Sequence, residues 1–162
     1  MIKRIGPEMA EYIAANQLMY PEAMREDVET FRVLLANPFC LGYFGVSPAL
    51  PTRCIDALSG WILFKKESFK QEYCYDLAVL PDTQRCGIGR MLWIHACREL
   101  RWYGKRIHAH CRRQSYELLT CHAIGYELVR DKFIENHYAK EYESDDLIGE
   151  HAHEIWLKPV GM

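Results

Sequence analysis

The sequence predicts a mixed α/β protein of the α+β type, with a largely antiparallel sheet flanked by about four helices. Three observations carry this: apolar residues recur at helical spacing in four separate stretches, aromatic and β-branched runs of strand length lie between them, and no internal repeat is visible. The 162 residues suit one domain spanning 1–162, and 49% hydrophobic with 26% charged residues is ordinary globular composition.

Taking the elements in order, Ile2 to Ile5 reads as a short opening strand. Pro7 then fits the first turn of a helix starting near Glu8, with Met9, Tyr12, Ile13 and Leu18 partly on one face and Tyr20-Pro21 as its stop. Met24, Val28, Phe31 and Leu35 recur at spacings of four, three and four, predicting a second helix that ends before Asn37-Pro38. Three strands follow in CLGYFGV, ALSGWILFKK and YCYDLAVL, the last ended by Pro81-Asp82-Thr83. From Gly87 the period is helical again, with Ile88, Met91, Leu92, His95, Ala96, Leu100 and Tyr103 on one face until Gly104. RIHAHC alternates as a strand, SYELLTCHAIG reads as a short helix ending at Gly125, and YELVRDKFI and HEIWLKPV close the chain as strands.

Charge and cysteine usage narrow the function classes. Twenty Lys plus Arg against twenty-two Asp plus Glu leave a formal charge of -2, so no global positive field favours nucleic acid as a partner. Absence of an apolar run of about 18 residues argues against a membrane partner, and MIKRIGPEMAEY lacks the pattern of a secretory signal, which gives a cytoplasmic expectation. The seven cysteines form no close pairs and are expected to be reduced and mostly buried. His108 with His110, and His151 with His153, each offer two imidazoles on one face, but neither has a third ligand at a defined spacing, and no metal is assigned.

The informative string is LAVLPDTQRCGIGRML, Leu77 to Leu92, which sets a strand, a tight turn and a helix N-terminus in succession. Gly87 and Gly89 lack Cβ, so a ligand can approach the backbone where first-turn amides have no intrahelical acceptor. Such a turn suits a phosphate or pyrophosphate, helped by roughly half a positive charge from the helix dipole. A Walker loop is excluded because Gly89-Arg90-Met91 stands where Gly-Lys-Ser/Thr is needed, and a Rossmann fingerprint because position 92 is leucine. From Gln84 to Arg113, Arg85, Arg90, Arg98, Arg101, Lys105, Arg106, Arg112 and Arg113 face only Glu99, a local surplus suited to a polyphosphate, although Arg98 and Arg101 read better as the polar face of the helix.

These residues resemble the GNAT superfamily of acyl-CoA-dependent N-acetyltransferases, whose Gln/Arg-x-x-Gly-x-Gly/Ala signature is matched by Gln84, Arg85, Cys86, Gly87, Ile88 and Gly89 after a hydrophobic strand ending Val79-Leu80-Pro81. The element order from Met1 to about Val160 agrees with that fold. The resemblance implies acetyl-CoA as cofactor, its pyrophosphate cradled by amides from Gln84 to Arg90, its pantetheine paired with the backbone of Leu77, Ala78 and Val79, and its thioester carbonyl polarised near Val79. It implies transfer of an acetyl group to a primary amine in a ternary complex by a monomer or homodimer, the acceptor being a protein lysine, an N-terminus, a polyamine or another small cationic amine. A non-catalytic acyl-CoA-binding regulatory module is the alternative reading.

Further roles also come from the resemblance. Gln114 stands where relatives often use an Asn on pantetheine, Cys121 where they often have a Tyr, and Tyr138, thirteen residues beyond Gly125, falls at the tyrosine that protonates the leaving thiolate. Tyr20 and Met24, between the first two helices, are acceptor contacts by the same analogy, and Glu141, Glu143, Asp145, Asp146, Glu150 and Glu154 would form an acidic loop at the acceptor mouth. Transfer needs an uncharged amine, which at pH 7 costs about 4.6 kcal/mol for lysine and about 1 for an α-amine. Candidate bases are Asp76 on the strand before the motif and His108 or His110 on the following strand, of which His108 reads rather as a packing residue. No glutamate stands at the strand positions where many members carry one.

Overall fold

The computed structural model describes residues 1–20, 22–45, 58–134 and 152–161. Among these residues, seven strands form one sheet: β1 (Ile2–Arg4), β2 (Leu41–Phe44), β3 (Leu58–Ser68), β4 (Gln71–Val79), β5 (Arg106–Arg112), β6 (Tyr126–Ile134) and β7 (Ala152–Pro159), in spatial order β1-β2-β3-β4-β5-β7-β6. Every neighbouring pair is antiparallel except β4 with β5. The α-helices of the described residues, α1 (Ala10–Ala15), α2 (Val28–Leu35), α3 (Ile88–Trp102) and α4 (Arg113–Cys121), cover it.

The two faces carry separate cores. Ala10, Ile13, Phe31, Leu34 and Leu35 from α1 and α2 pack with Leu58, Trp61, Leu63 and Ala78 on one side. On the other, Leu92, Trp93, Ala96 and Leu100 of α3 and Leu119 of α4 pack with Ile62, Phe64, Ile107, Ala109, Ile155 and Leu157. At Gly60 a Cβ would meet the Ala78 carbonyl oxygen at 3.0 Å and Ile88 Cγ2 at 3.1 Å, so glycine lets α3 press against β3.

The expected helices are present, with shifted faces and ends. A 3-10 turn over Pro7–Met9 precedes α1, which ends at Ala15 because Asn16 leaves helical geometry, so Leu18 lies beyond the helix and is exposed. Met24 belongs to a separate 3-10 turn, Glu22–Met24, and α2 starts later, where the Asp27 carboxylate caps the Thr30 amide at 2.8 Å. Along α3, Trp93 and Cys97 are buried with Ile88, Leu92, Ala96 and Leu100, whereas Met91, His95 and Tyr103 face outward. The larger indole claims the sheet-facing side. Of the six described cysteines, Cys40, Cys74, Cys97 and Cys111 are buried, Cys86 and Cys121 exposed, and all are free thiols. No helix among the described residues is long and apolar enough to cross a membrane.

Candidate active site: a fork between two parallel strands

The site follows from where β4 and β5 stop pairing. Their register runs from Gln71 with Arg106 to Cys74 with Ala109 and ends there, so the two strands part beyond Cys74. In the same place the β3–β4 register slips, with Leu63 opposite Asp76 and Phe64 opposite Cys74, leaving Tyr75 as the extra residue of a bulge. A bulge turns successive side chains to one side, and here Tyr75 and Ala78 both meet the α1/α2 core.

Between the parted strands lies a cavity of about 520 Å³. Its walls are Tyr73 to Leu77 of β4, His110 to Arg112 of β5, Ser115 and Leu119 of α4, and Tyr20, Met24 and Glu26 of the α1–α2 connection. Asp76 sits in it, half-buried, with Trp61 Nε1 donating to Oδ2 at 2.9 Å and the Tyr20 hydroxyl donating to Oδ1. Desolvation raises its pKa to about 6, against the opposing pull of those two hydrogen bonds. The carboxyl is thus poised near neutrality.

The α1–α2 connection is fastened to this wall by side chains. Gln17, almost fully buried, donates to the carbonyls of Ala14 (3.0 Å) and Glu26 (2.8 Å) and accepts from the Glu26 amide at 2.8 Å. The Tyr75 hydroxyl donates to Glu26 Oε1 at 2.6 Å. These contacts and the Tyr20–Asp76 bond hold Tyr20 and Met24 against the cavity.

At the far end of β4, the Leu80 amide donates to Ser59 at 2.8 Å, so by strand alternation the amides of Leu77 and Val79 point to the open edge. The Ala78 and Ile88 side chains are core, so only their backbone is available to a ligand. Gln84 Nε2 donates to the Val79 carbonyl at 3.1 Å, tying the turn to the strand. Arg85 (φ 66°) and Gly87 (φ 80°) both adopt left-handed backbone around Cys86. Such positive-φ residues turn consecutive amides toward one concavity, an anion nest, at a cost of roughly 1–2 kcal/mol for the non-glycine residue. Among the described residues no side chain caps α3, and its first intrahelical bond is made by Met91, which leaves the amides of Ile88, Gly89 and Arg90 without a helical acceptor. A Cβ at Gly89 would meet only Val79 Cγ2, at 3.7 Å. Arg85 and Arg90 are exposed beside this turn.

Other expected residues fall into place or outside. Gln114 is exposed in the first turn of α4, which begins two residues before the predicted start. Arg101 is structural, donating to the carbonyls of Gly125 (3.1 Å) and Val160 (3.0 Å). His108 stacks on Trp156 with ring centroids 4.8 Å apart. Glu154 is not part of an acidic loop: it lies in β7 opposite His110, its Oε1 3.3 Å from His110 Nε2. Tyr138, Glu141, Glu143, Asp145, Asp146, Glu150 and His151 lie outside the described residues. Trp61, Gln17 and Glu26 are the neighbours of the cavity that the sequence did not single out, and Glu154, expected in the acidic loop, stands beside His110.

Comparison with known proteins decides the family. Residues 11–126 match the model of the acetyltransferase (GNAT) family. The chain belongs to the GNAT acetyltransferase family. Enzymes of this family use acetyl-CoA, so the chain is a GNAT-type acetyltransferase with that acyl donor. Among solved structures, the ribosomal-protein-S18-alanine N-acetyltransferase of Escherichia coli superposes with a TM-score of 0.66 at 18% identity, over 100% of this chain and 94% of that one. The Chaetomium thermophilum Naa20, solved with a bisubstrate analogue, gives 0.65 at 17% identity, over 98% and 86%. The NatC complex bound to Gag peptide and CoA gives 0.67 at 15%, over 99% and 98%. These three share the fold. No curated protein sequence matches.

Proposed function

We propose that this GNAT enzyme acetylates primary amines by direct transfer in a ternary complex, and that its preferred acceptor is the α-amine of a polypeptide. The fork between β4 and β5 carries the reading. Amides of the turn from Gln84 to Arg90 are suited to the acetyl-CoA diphosphate, and the open edge at Leu77 and Val79 to an extended pantetheine, with Gln114 as a further polar contact. The donor's thioester would then stand at the neck of the fork, with Asp76 and His110 on opposite walls of the acceptor cavity.

The acceptor class follows from proton affinity. A carboxyl with a pKa of about 6 can take a proton from an α-ammonium, whose pKa lies near 8, at a cost of about 3 kcal/mol; from a lysine near 10.4 the cost is about 6. The first is compatible with ordinary turnover. Once Asp76 holds the ammonium proton, the neutral amine nitrogen forms a bond to the thioester carbon and the carbon–sulfur bond breaks. The thiolate takes a proton from Tyr138, the second nitrogen proton passes to His110 and through solvent restores Tyr138, and Asp76 releases its proton to solvent. Tyr20 and Met24 would meet the acceptor's first residues. That E. coli S18-alanine acetyltransferase and a peptide-bound NatC share the fold favours a peptide acceptor.

The test is a rate comparison among a peptide with a free N-terminus, the same peptide blocked at its α-amine but bearing an internal lysine, and spermidine. The free N-terminus should give at least tenfold higher kcat/KM. Faster transfer to lysine or polyamine overturns the acceptor assignment, and acetyl-CoA binding without transfer to any amine overturns the catalytic reading.

A further inference from the structure

The geometry points to a second site beside the acceptor cavity: a divalent-cation site of the zinc class, formed by His108, His110 and Glu154. In the β5–β7 register His110 stands directly opposite Glu154, and His108 is two residues along the same strand face. The Nε2 atoms of both imidazoles approach one oxygen, Glu154 Oε1, at 2.8 Å for His108 and 3.3 Å for His110, and the three ligand atoms lie within 4.8 Å of one another. In a tetrahedral zinc site with metal–ligand bonds of about 2.0–2.1 Å, ligand atoms stand about 3.4 Å apart. The two spacings to Glu154 Oε1, 2.8 and 3.3 Å, lie just below that value.

Two further features distinguish the cluster from a chance meeting of polar side chains. His108 Nδ1 faces Glu67 Oε1 at 2.5 Å, so a carboxylate holds the far nitrogen of the ring while Nε2 faces the other two ligands, the arrangement by which an outer carboxylate orients a metal-bound imidazole. The ring itself is fixed flat against Trp156, with an interplanar angle of 5°. The three ligand side chains are 12%, 22% and 17% exposed, shielded yet reachable by an ion. Two imidazoles with one carboxylate select zinc-like ions over Mg²⁺ and Ca²⁺, which take all-oxygen sets, and three protein ligands leave a fourth position for water. Because His110 also lines the acceptor cavity, a bound ion would take the Nε2 that faces Glu154 and so reach the wall of that cavity.

The site is tested on the metal alone, without any transfer assay, so its failure is separable from failure of the proposed function. Titration of the full chain with Co²⁺ should give one ion per chain and visible d–d bands without the thiolate charge transfer that binding at a cysteine would add; among the described residues Cys86 and Cys121 are the exposed thiols that could compete for it. Zn²⁺ should displace it. Glu154→Gln and His110→Ala should weaken Zn²⁺ binding at least tenfold with an unchanged circular dichroism spectrum, and Glu67→Ala, which removes no ligand, by roughly 10–100-fold. A Cys86→Ser/Cys121→Ser double variant should bind as wild type. Thiolate charge transfer, equal affinity in the Glu154 and His110 variants, or no binding at 100-fold metal excess overturns the site.

Discussion

The indole nitrogen of Trp61 donates a hydrogen bond to Asp76 Oδ2 at 2.9 Å across the β3–β4 pair, next to the bulge at Tyr75. Trp61 is otherwise fully buried among apolar side chains, so its one polar atom is spent on orienting this carboxylate. Burial and orientation together define Asp76: desolvation moves its pKa to about 6, and the two donors keep it from rising further.

The pH profile of kcat/KM for a peptide α-amine should therefore carry an ascending limb with a midpoint near pH 6, in addition to the limb of the amine itself. In Asp76→Asn that lower limb should vanish, with the plateau falling by about 100-fold, the lower range for loss of a general base. Trp61→Phe should move the midpoint upward by removing a donor to the ionised form. Initial-rate measurements from pH 5 to 9 check all three.

Stability should respond to the same group with the opposite slope. A carboxyl whose folded pKa of about 6 exceeds its unfolded value near 3.9 favours the fold most when protonated, and that contribution declines as the pH rises from about 4 through 6. The loss amounts to about 2–3 kcal/mol at full effect. Comparing urea midpoints at pH 5 and pH 8 should show a difference in wild type that is reduced in Asp76→Asn.

Gly87→Ala places a methyl group on backbone at φ 80° in the turn before α3. It should cost about 1–2 kcal/mol of stability and weaken acetyl-CoA binding at least tenfold, because the nest must rearrange to relieve the strain. Calorimetric titration with CoA and with acetyl-CoA reads the affinity directly. Equal affinity in the variant would show that the turn's geometry is not what holds the diphosphate.

Gln17→Ala should raise KM for the acceptor peptide more than it affects acetyl-CoA affinity. The substitution strands the amide and carbonyl of Glu26, which Gln17 satisfies, and frees the connection that carries Tyr20 and Met24. A stability loss of about 1–3 kcal/mol accompanies it. Steady-state kinetics with both substrates varied distinguishes the two affinities.

Tyr138→Phe should lower kcat by about 100-fold while leaving acetyl-CoA affinity within twofold, as removal of a general acid does. Single-turnover release of free CoA is the appropriate measurement.

What the sequence made legible was local. LAVLPDTQRCGIGRML announces strand, turn and helix start because every signal lies within sixteen consecutive residues, and the alternation of His108 and His110 opposite Ile107, Ala109 and Cys111 is likewise a property of one strand. Features created by pairing were not legible. Glu154 reaches the two histidines only because β7 lies beside β5, and Trp61 meets Asp76 only because β3 lies beside β4. The buried faces of the helices were misjudged for a related reason: a stripe containing Trp93 competes with one containing Met91, and the sheet decides between them.

Among the described residues, backbone pairing between β1–β4 and the β5–β7–β6 half of the sheet runs over four residue pairs, from Gln71 with Arg106 to Cys74 with Ala109. A seam this short would make the donor a mechanical component as well as a reactant, since a thioester carrier lying along the open edge, as proposed, would bridge both halves where backbone pairing has ended. An occupant at 100 times its dissociation constant adds about 2.7 kcal/mol to the folded state. The enzyme's resistance to proteolysis should accordingly rise and fall with the supply of coenzyme.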